Sequence, residues 1–205
     1  LFRSVTGAAL AAGLFMGVSS AVQAQCEGVP SFDALQGALA SVVGAGGNGG
    51  LGNNMWGTVV DRNGIVCAVA KSGANVGDQW PGSRVISAQK ANTANAFSLP
   101  PGVTGTPIAL STANLYAAVQ PGGSLFGLQH SNPVDTAVAY QGDANSFGTQ
   151  SDPLIGQKIG GVNVFGGGLA LYDQQGQLVG GLGVSGSTSC SDHIIAWKVR
   201  DALAL

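Results

Sequence analysis

The fold is decided by residues 158–203, which read KIGGVNVFGGGLALYDQQGQLVGGLGVSGSTSCSDHIIAWKVRDAL. Apolar residues after a glycine-rich lead-in predict one strand at about 168–173 and a second at about 177–185. Between them, the sequence DQQG at residues 173–176 suits a type I turn closed by a glycine bulge, because Asp bonds turn amides and Gly tolerates a positive φ. The stretch therefore predicts a hairpin of fixed register, followed by a helix from residue 189.

The predicted closing helix has a well-defined start. Ser189 is a suitable N-cap, and the Asp192 carboxylate lies three residues further on, where it can accept hydrogen bonds from unpaired amides of the first turn. Apolar residues at helical spacing fall on one face, which should pack on the sheet: Ile195, Val199, Ala202 and Leu203.

A second hairpin of the same kind occurs 112 residues earlier. MWGTVV and IVCAVA flank the turn DRNG at residues 61–64, which repeats the Asp-x-x-Gly pattern. We interpret the two hairpins as halves of one antiparallel sheet. Helices are predicted at 32–43 with Ser31 as N-cap, at 84–97 with Ser83 as N-cap and an exposed polar interior, and at 111–119. The irregular segment 121–161 is expected to bind something or to cover an interface.

Length and composition predict one exported domain. Residues 1–24 have the features of a secretory signal: Arg3, an apolar run at 8–18, and the small-residue cleavage sequence VQA at 22–24. The single domain is then 25–205. Gln25 stands where a lipoprotein signal needs a small residue, so no membrane anchor is expected after cleavage, and the protein should be periplasmic or secreted.

The mature chain is weakly acidic and poor in charge. Loss of Arg3 leaves seven basic and ten acidic residues, a net charge of about −3, which argues against nucleic acid and anionic membranes as partners. Charged residues make up only 9% of the chain, so we expect a homo-oligomer that hides surface. Three cysteines, Cys26, Cys67 and Cys190, match no metal motif; they allow one internal bridge with a free thiol, or an intermolecular link. We favour a structural bridge for Cys190 over a reactive thiol.

Three segments resemble the GlcG/HbpS heme-binding family: SAQKANTA at 87–94, GGGLALYDQQGQLVGGLGVSG at 166–186, and SCSDHIIAW at 189–197. The resemblance covers roughly 55–203. It implies a profilin- or PAS-like α/β (α+β) fold, with helices packed on an antiparallel sheet, and commonly higher oligomers. It also implies binding of heme or a related tetrapyrrole, with no well-established catalysis. The export signal, the cysteines and the longer segment 100–161 depart from the family and leave its ligand geometry open here.

Two histidines are the candidate iron ligands. His193 is predicted in the first turn of a helix, where the positive dipole end disfavours imidazolium and leaves a neutral nitrogen for a metal. Its alternative is a hydrogen bond near Asp192 or a subunit contact. Trp197, at i+4, could form an apolar wall for a planar ligand, or belong to the core. His130, in a loop beside Phe126, could cover a heme face or be solvated.

Three further residues are candidate polar contacts. Lys90 occupies the lysine position of the family's helix motif and could meet a heme propionate, or else extend to water or pair with an acid. Thr93 and Tyr116 are weaker candidates, and Tyr140 and Tyr172 weaker still.

Neither a nucleotide loop nor a hydrolase is favoured. GGVNVFGGG lacks the Gly-Lys-Ser/Thr of a phosphate loop, and GVSGS lacks the second glycine of a nucleophile elbow. The leading hypothesis is an exported heme-binding protein that stores, buffers or senses heme, with His193 or His130 on the iron and Lys90 near a propionate. The alternatives are an enzyme or accessory factor acting on a small organic acid or cofactor at a subunit interface, and an oligomeric structural module without a ligand.

Overall fold

The computed structural model describes residues 25–205, so the predicted signal at 1–24 lies outside the described residues. The strands are β1 (Trp56–Asp61), β2 (Val66–Lys71), β3 (Gly168–Tyr172) and β4 (Leu178–Ser185). The long helices are α1 (Phe32–Gly44), α2 (Ser83–Phe97) and α6 (Ser189–Ala202). One-turn helices are α3 (Pro101–Thr104), α4 (Thr112–Leu115) and α5 (Thr136–Ala139), and short 3₁₀ turns lie at Val76–Asp78, Ala117–Val119 and Ala144–Ser146.

Within the described residues, the four strands form one antiparallel sheet in the order β2-β1-β4-β3. The two hairpins join through β1 and β4, which pair from Trp56 opposite Ser185 to Asp61 opposite Gly180. The prediction that both hairpins belong to one sheet is confirmed.

The two hairpin turns have matching geometry. Gly64 and Gly176 both take positive φ, 78° and 76°, at the last position of the turn. Asp61 Oδ1 accepts hydrogen bonds from the amides two and four residues on, at 2.8 and 2.9 Å, and Asp173 Oδ1 does the same at 2.9 and 2.8 Å. The aspartate and the glycine therefore act as the sequence pattern predicts.

Helices cover both faces of the sheet. On one face, α1 and α6 pack over an apolar cluster that includes Leu39, Val59, Leu182 and Ile195. On the other, α2 and the segment that follows it pack over a cluster containing Trp56, Val60, Val85 and Leu154. The profilin- or PAS-like α/β arrangement expected from the resemblance is confirmed as a mixed fold of this kind.

Helix α2 lies directly on the glycines of β4. A Cβ added at Gly183 would stand 1.9 Å from the carbonyl oxygen of Ser87, and one at Gly181 would stand 2.3 Å from that of Ala91. Only glycine permits this approach, so the glycine-rich sequence of β4 sets the distance between helix and sheet. As a result, the α2 interior predicted to be exposed is buried, and that prediction is wrong.

Two of the three predicted helix caps are displaced by one residue. Ser31 caps α1 as predicted, accepting from the Ala34 amide at 3.3 Å. For α6 the N-cap is Thr188, whose hydroxyl accepts from the Ser191 amide at 3.4 Å, and Ser189 is the first helical residue. Ser83 is likewise the first residue of α2, so its predicted capping role is wrong.

Two further expectations change. The apolar stripe of α6 contains Ile195 and Val199 but not Ala202, which is exposed; Ala196 is buried instead. The helix expected at 111–119 is divided into α4 and a 3₁₀ turn.

One disulfide joins Cys26 to Cys67, and Cys190 is free and exposed. The expectation that Cys190 forms a bridge is therefore wrong. The bridge ties the segment before α1 to β2 across 41 residues of sequence. A loop of that length is worth about 4 kcal/mol in the chain-entropy view of disulfide stabilisation.

Candidate functional site

A small cleft runs beside the outer face of α6. Its volume is about 230 Å³, and it is lined by His193, Trp197 and Arg200 of the helix, by Leu169 and Ala170 of β3, and by the segment 109–114. Because residues i, i+4 and i+7 lie on one face of a helix, these three side chains stand in a row along the cleft. His193 and Trp197 were predicted to share a face, and the structure brings them together.

His193 carries an unpartnered nitrogen. The imidazole is half-buried, and its Nδ1 is buried without a hydrogen-bond partner. Burial lowers the pKa of His193 below its usual value, and the positive charges of Arg200 and Lys90 lower it further. The ring is therefore neutral at physiological pH. The predicted reason was different: His193 lies in the second turn of α6, so desolvation, rather than the helix dipole, is the main cause.

Trp197 and Arg200 form the rest of the helical wall. The Trp197 side chain is 54% exposed, so it belongs to the surface rather than to the core. The Arg200 guanidinium lies over its ring, 4.7 Å from the ring centroid, and Nη1 donates to the Ala170 carbonyl at 3.4 Å. Sequence reasoning missed Arg200. Its spacing from His193 and Trp197 was the signal that could have found it.

Lys90 does not reach the cleft. Its side chain is fully buried, and Nζ donates to Asp192 Oδ2 at 2.7 Å and to the Val184 carbonyl at 3.0 Å. Burial lowers the pKa of Lys90 and raises the pKa of Asp192, while the attraction between them opposes both shifts. Of the alternatives, Lys90 thus takes the pairing with an acid, and this pair fixes the first turn of α6 to α2.

The remaining predicted residues lie apart from the cleft. Thr93 is buried, donating to the Gln89 carbonyl at 2.7 Å and accepting from the Asn163 amide at 3.0 Å. Tyr116 is 55% exposed, and His130 is exposed in its loop, edge-to-face with Phe126 at 6.4 Å between ring centroids. The structure therefore does not bring His130 and His193 into one pocket.

Two larger cavities lie on other faces. One, of about 440 Å³, is lined by the glycine-rich loop 46–53 and by α6, and another, of about 490 Å³, lies between α1 and residues 148–151. Asn48, Ser191 and Lys71, which line them, already donate hydrogen bonds to backbone carbonyls. The His193 cleft differs in being lined by a histidine, the residue type that most often ligates metals. Within residues 25–205 no group of three or more His, Cys, Asp or Glu side chains could hold a metal ion.

The family of the chain follows from its sequence. A family model described as Haem degrading protein HbpS-like matches residues 40–201. The chain belongs to this HbpS-like family. Membership supports a heme-related function at the level of the family, and it confirms the resemblance seen in the sequence. None of the curated proteins compared with the chain matches it.

Solved structures show the same fold as this HbpS-like chain. The protein in the crystal structure of a PduOC:heme complex is 24% identical in sequence to this chain, and the two align with a TM-score of 0.54 over 83% of this chain and 89% of that protein. Klebsiella pneumoniae protein ORFY is also 24% identical, with 86% and 92% covered and a TM-score of 0.53. No helix among residues 25–205 has the length and apolar character needed to span a bilayer.

Proposed function

We propose that this HbpS-like protein is an exported heme-binding protein that buffers or stores heme, with His193 as the iron ligand. The observation that carries the proposal is the neutral, half-buried imidazole of His193 beside the exposed ring of Trp197. Family membership supports the choice of heme over other planar ligands.

The residues of the cleft fit part of a heme group. Neutral imidazole ligates iron without first losing a proton, and the Trp197 ring, which Arg200 covers on one face, could offer its other face to a porphyrin. Because Nδ1 is buried, ligation uses the accessible edge of the ring, which carries Nε2. When bound, heme would supply the ligand-binding and redox chemistry of its iron. The chain's own contribution is to hold the ring neutral and to shield one face of the porphyrin.

The expected affinity suits buffering. A strong histidine ligand usually donates its second ring N–H to an acceptor, and Nδ1 of His193 has none. We therefore expect heme that is bound and released readily, as storage or buffering requires, rather than a permanently held cofactor.

The size of the cleft favours an assembly. At about 230 Å³ it is smaller than the roughly 300–1,000 Å³ of sites that enclose a whole ligand, so it can hold only part of a heme. The rest would lie on the surface around Trp197, where a second copy of the chain could cover it. A homo-oligomer is also what the low charge of the sequence predicts. Export is supported by the Cys26–Cys67 bridge, since disulfides persist in oxidising compartments.

Titration with hemin tests the proposal. Residues 25–205 should give a saturable Soret band at about one heme per chain, and His193→Ala should shift the band and weaken binding. His130→Ala is the matched control, because His130 lies outside the cleft, and we expect it to bind like the parent protein. Absence of a band shift at equimolar hemin refutes heme binding. Loss of the band in His130→Ala, with His193→Ala unaffected, assigns the iron to His130.

A second measurement separates storage from turnover. The heme-loaded protein is supplied with a reductant and oxygen, and the Soret band is followed over time. A stable band agrees with buffering, whereas an enzyme-dependent loss with release of iron would replace the storage proposal by degradation, the activity named in the family description.

A further inference from the structure

We propose that the cleft beside α6 is a carboxylate-binding site anchored on Arg200, and that it takes small apolar organic acids as well as the propionates of heme. Binding of small acids goes beyond the proposed heme function, whereas binding of heme propionates rests on it. Both ligands would make the same interaction, a carboxylate paired with the Arg200 guanidinium.

The guanidinium of Arg200 is held in place but not neutralised. The ion pairs among residues 25–205 join Arg84 to Asp152 and Lys90 to Asp192, so no carboxylate is in direct contact with Arg200 in the described part of the chain, and the charge of the neighbouring Asp201 acts on it only from further away. Stacking on Trp197 fixes its plane, and its hydrogen bond to the Ala170 carbonyl is long, at 3.4 Å. Most of its five N–H donors thus stay open, in the fork geometry that binds a carboxylate in bidentate fashion.

The rest of the cleft agrees with an anion that has an apolar tail. Among the described residues no Asp or Glu lines it, and the pKa of His193 is lowered by burial and then by the positive charges of Arg200 and Lys90. Asn114 also lines the cleft, and its Oδ1 accepts from the Ser111 amide at 2.9 Å, which leaves its NH₂ group out of that contact. The apolar residues that line the cleft are Leu110, Leu169 and Trp197. A charged head therefore meets Arg200, and an aliphatic chain lies against these apolar side chains.

The volume limits the ligand. About 230 Å³ corresponds to roughly seven or eight water molecules at about 30 Å³ each, which suits a short aliphatic acid such as butyrate. A heme is too large to enter whole, but one propionate could. His193 and Arg200 are seven residues apart on α6, a rise of about 10.5 Å along the helix axis, so the two side chains stand at different positions along the cleft.

The small-acid arm uses sodium butyrate and its neutral isostere butyramide, titrated into residues 25–205 and followed by amide NMR shifts near Ala170 and Arg200. We expect saturable butyrate binding, with butyramide at least tenfold weaker, because a charged hydrogen-bond pair is lost. Arg200→Gln should weaken butyrate by about tenfold or more, and Arg200→Lys by less. Lys198→Gln removes the same charge from α6 outside the cleft, where Lys198 bonds Asn48, and should bind butyrate like the parent.

The heme arm compares hemin with hemin dimethyl ester on the same variants. If hemin binds more tightly than its dimethyl ester, and if Arg200→Gln reduces this difference while Lys198→Gln does not, recognition of the propionates is supported. Equal binding of butyrate and butyramide, or an unchanged Arg200→Gln variant, overturns the carboxylate site even if hemin binds. Butyrate binding without a Soret band leaves the carboxylate site standing and removes the heme function. The two failures are therefore distinguishable.

Discussion

Replacing Lys90 with Met tests the buried ion pair that positions the site. Met fills the volume of the Lys stem but removes the cation that donates to Asp192 at 2.7 Å and to the Val184 carbonyl at 3.0 Å. The Asp192 carboxylate, 1% exposed, then keeps a hydrogen bond from the Ser187 amide at 2.8 Å but has lost its counter-charge. Breaking a buried pair from one side costs about 3–5 kcal/mol, so we expect that loss in the free energy of unfolding at pH 7.

The loss should depend on pH in a defined direction. Burial already raises the pKa of Asp192, and Lys90 opposes the rise, so removing Lys90 raises that pKa further. A carboxyl group whose folded pKa exceeds its unfolded value of about 3.9 stabilises the fold at low pH, and this contribution is lost as the pH rises through the folded pKa. The gap between variant and parent should therefore widen from about pH 4 towards neutrality, by up to about 1.4 kcal/mol per pH unit.

Urea unfolding followed by tryptophan fluorescence, at pH 5, 6, 7 and 8, measures the effect. Lys198→Met is the matched control, because this lysine is exposed on α6, and its removal should cost less than about 1 kcal/mol. The double variant Lys90→Met with Asp192→Asn should recover part of the loss, since it buries an amide instead of a charge. A loss below about 1 kcal/mol at pH 7, or one that is constant from pH 5 to 8, would refute the reasoning.

Three further outcomes are expected. Replacing Cys26 and Cys67 with Ser should lower the free energy of unfolding by about 4 kcal/mol, measured against the oxidised parent, with a reductant giving the same loss. Gly183→Ala should destabilise the fold by more than about 3 kcal/mol, because the added Cβ would stand 1.9 Å from the backbone of α2. Gly37→Ala, which has open space around it in α1, should instead stabilise the fold by about 0.5–1 kcal/mol. Thermal melts of the two variants measure the difference. As the pH is lowered from 7, the affinity for hemin should stay constant until the lowered pKa of His193 is reached, and it should then fall because the imidazole becomes protonated. A fall in affinity centred near the ordinary histidine pKa of about 6.5 would contradict the lowered pKa.

The hairpins could be predicted because their determinants are local. In each turn, one Asp side chain bonds backbone amides within four residues, and one Gly supplies the positive φ. The helix starts were predicted to within one residue. Each of the three small polar residues at 187–189 could cap α6 by its side chain, and the sequence alone does not distinguish them. In the structure the N-cap is Thr188.

The environment of α2 could not be predicted from its own residues. Its sequence, rich in Ser, Asn and Thr, looks solvated, yet Ser87 and Thr93 are fully buried. They are buried because glycines of β4, about 90 residues away, allow the helix to approach the sheet. Burial of Ser87 is also favoured by its hydrogen bond with Thr58 on β1, at 2.7 Å between the two hydroxyl oxygens. Because this helix looks solvated in the sequence, Lys90 was also predicted to be accessible to a ligand. Its partner, Asp192, is 102 residues further along the chain.

These long-range contacts explain how the site acquires its shape. The close approach of α2 lets the Lys90 side chain reach the carbonyl end of β4 and the Asp192 carboxylate, while Ser189 Oγ accepts from the Gly166 amide at 2.7 Å before β3. Both contacts hold the first turn of α6 to the sheet, so the rotation of the helix about its axis is fixed from its start. With that rotation fixed, helical spacing places His193, Trp197 and Arg200 in one row along the cleft. The residues proposed to bind a ligand therefore depend for their direction on a polar network that the ligand does not touch.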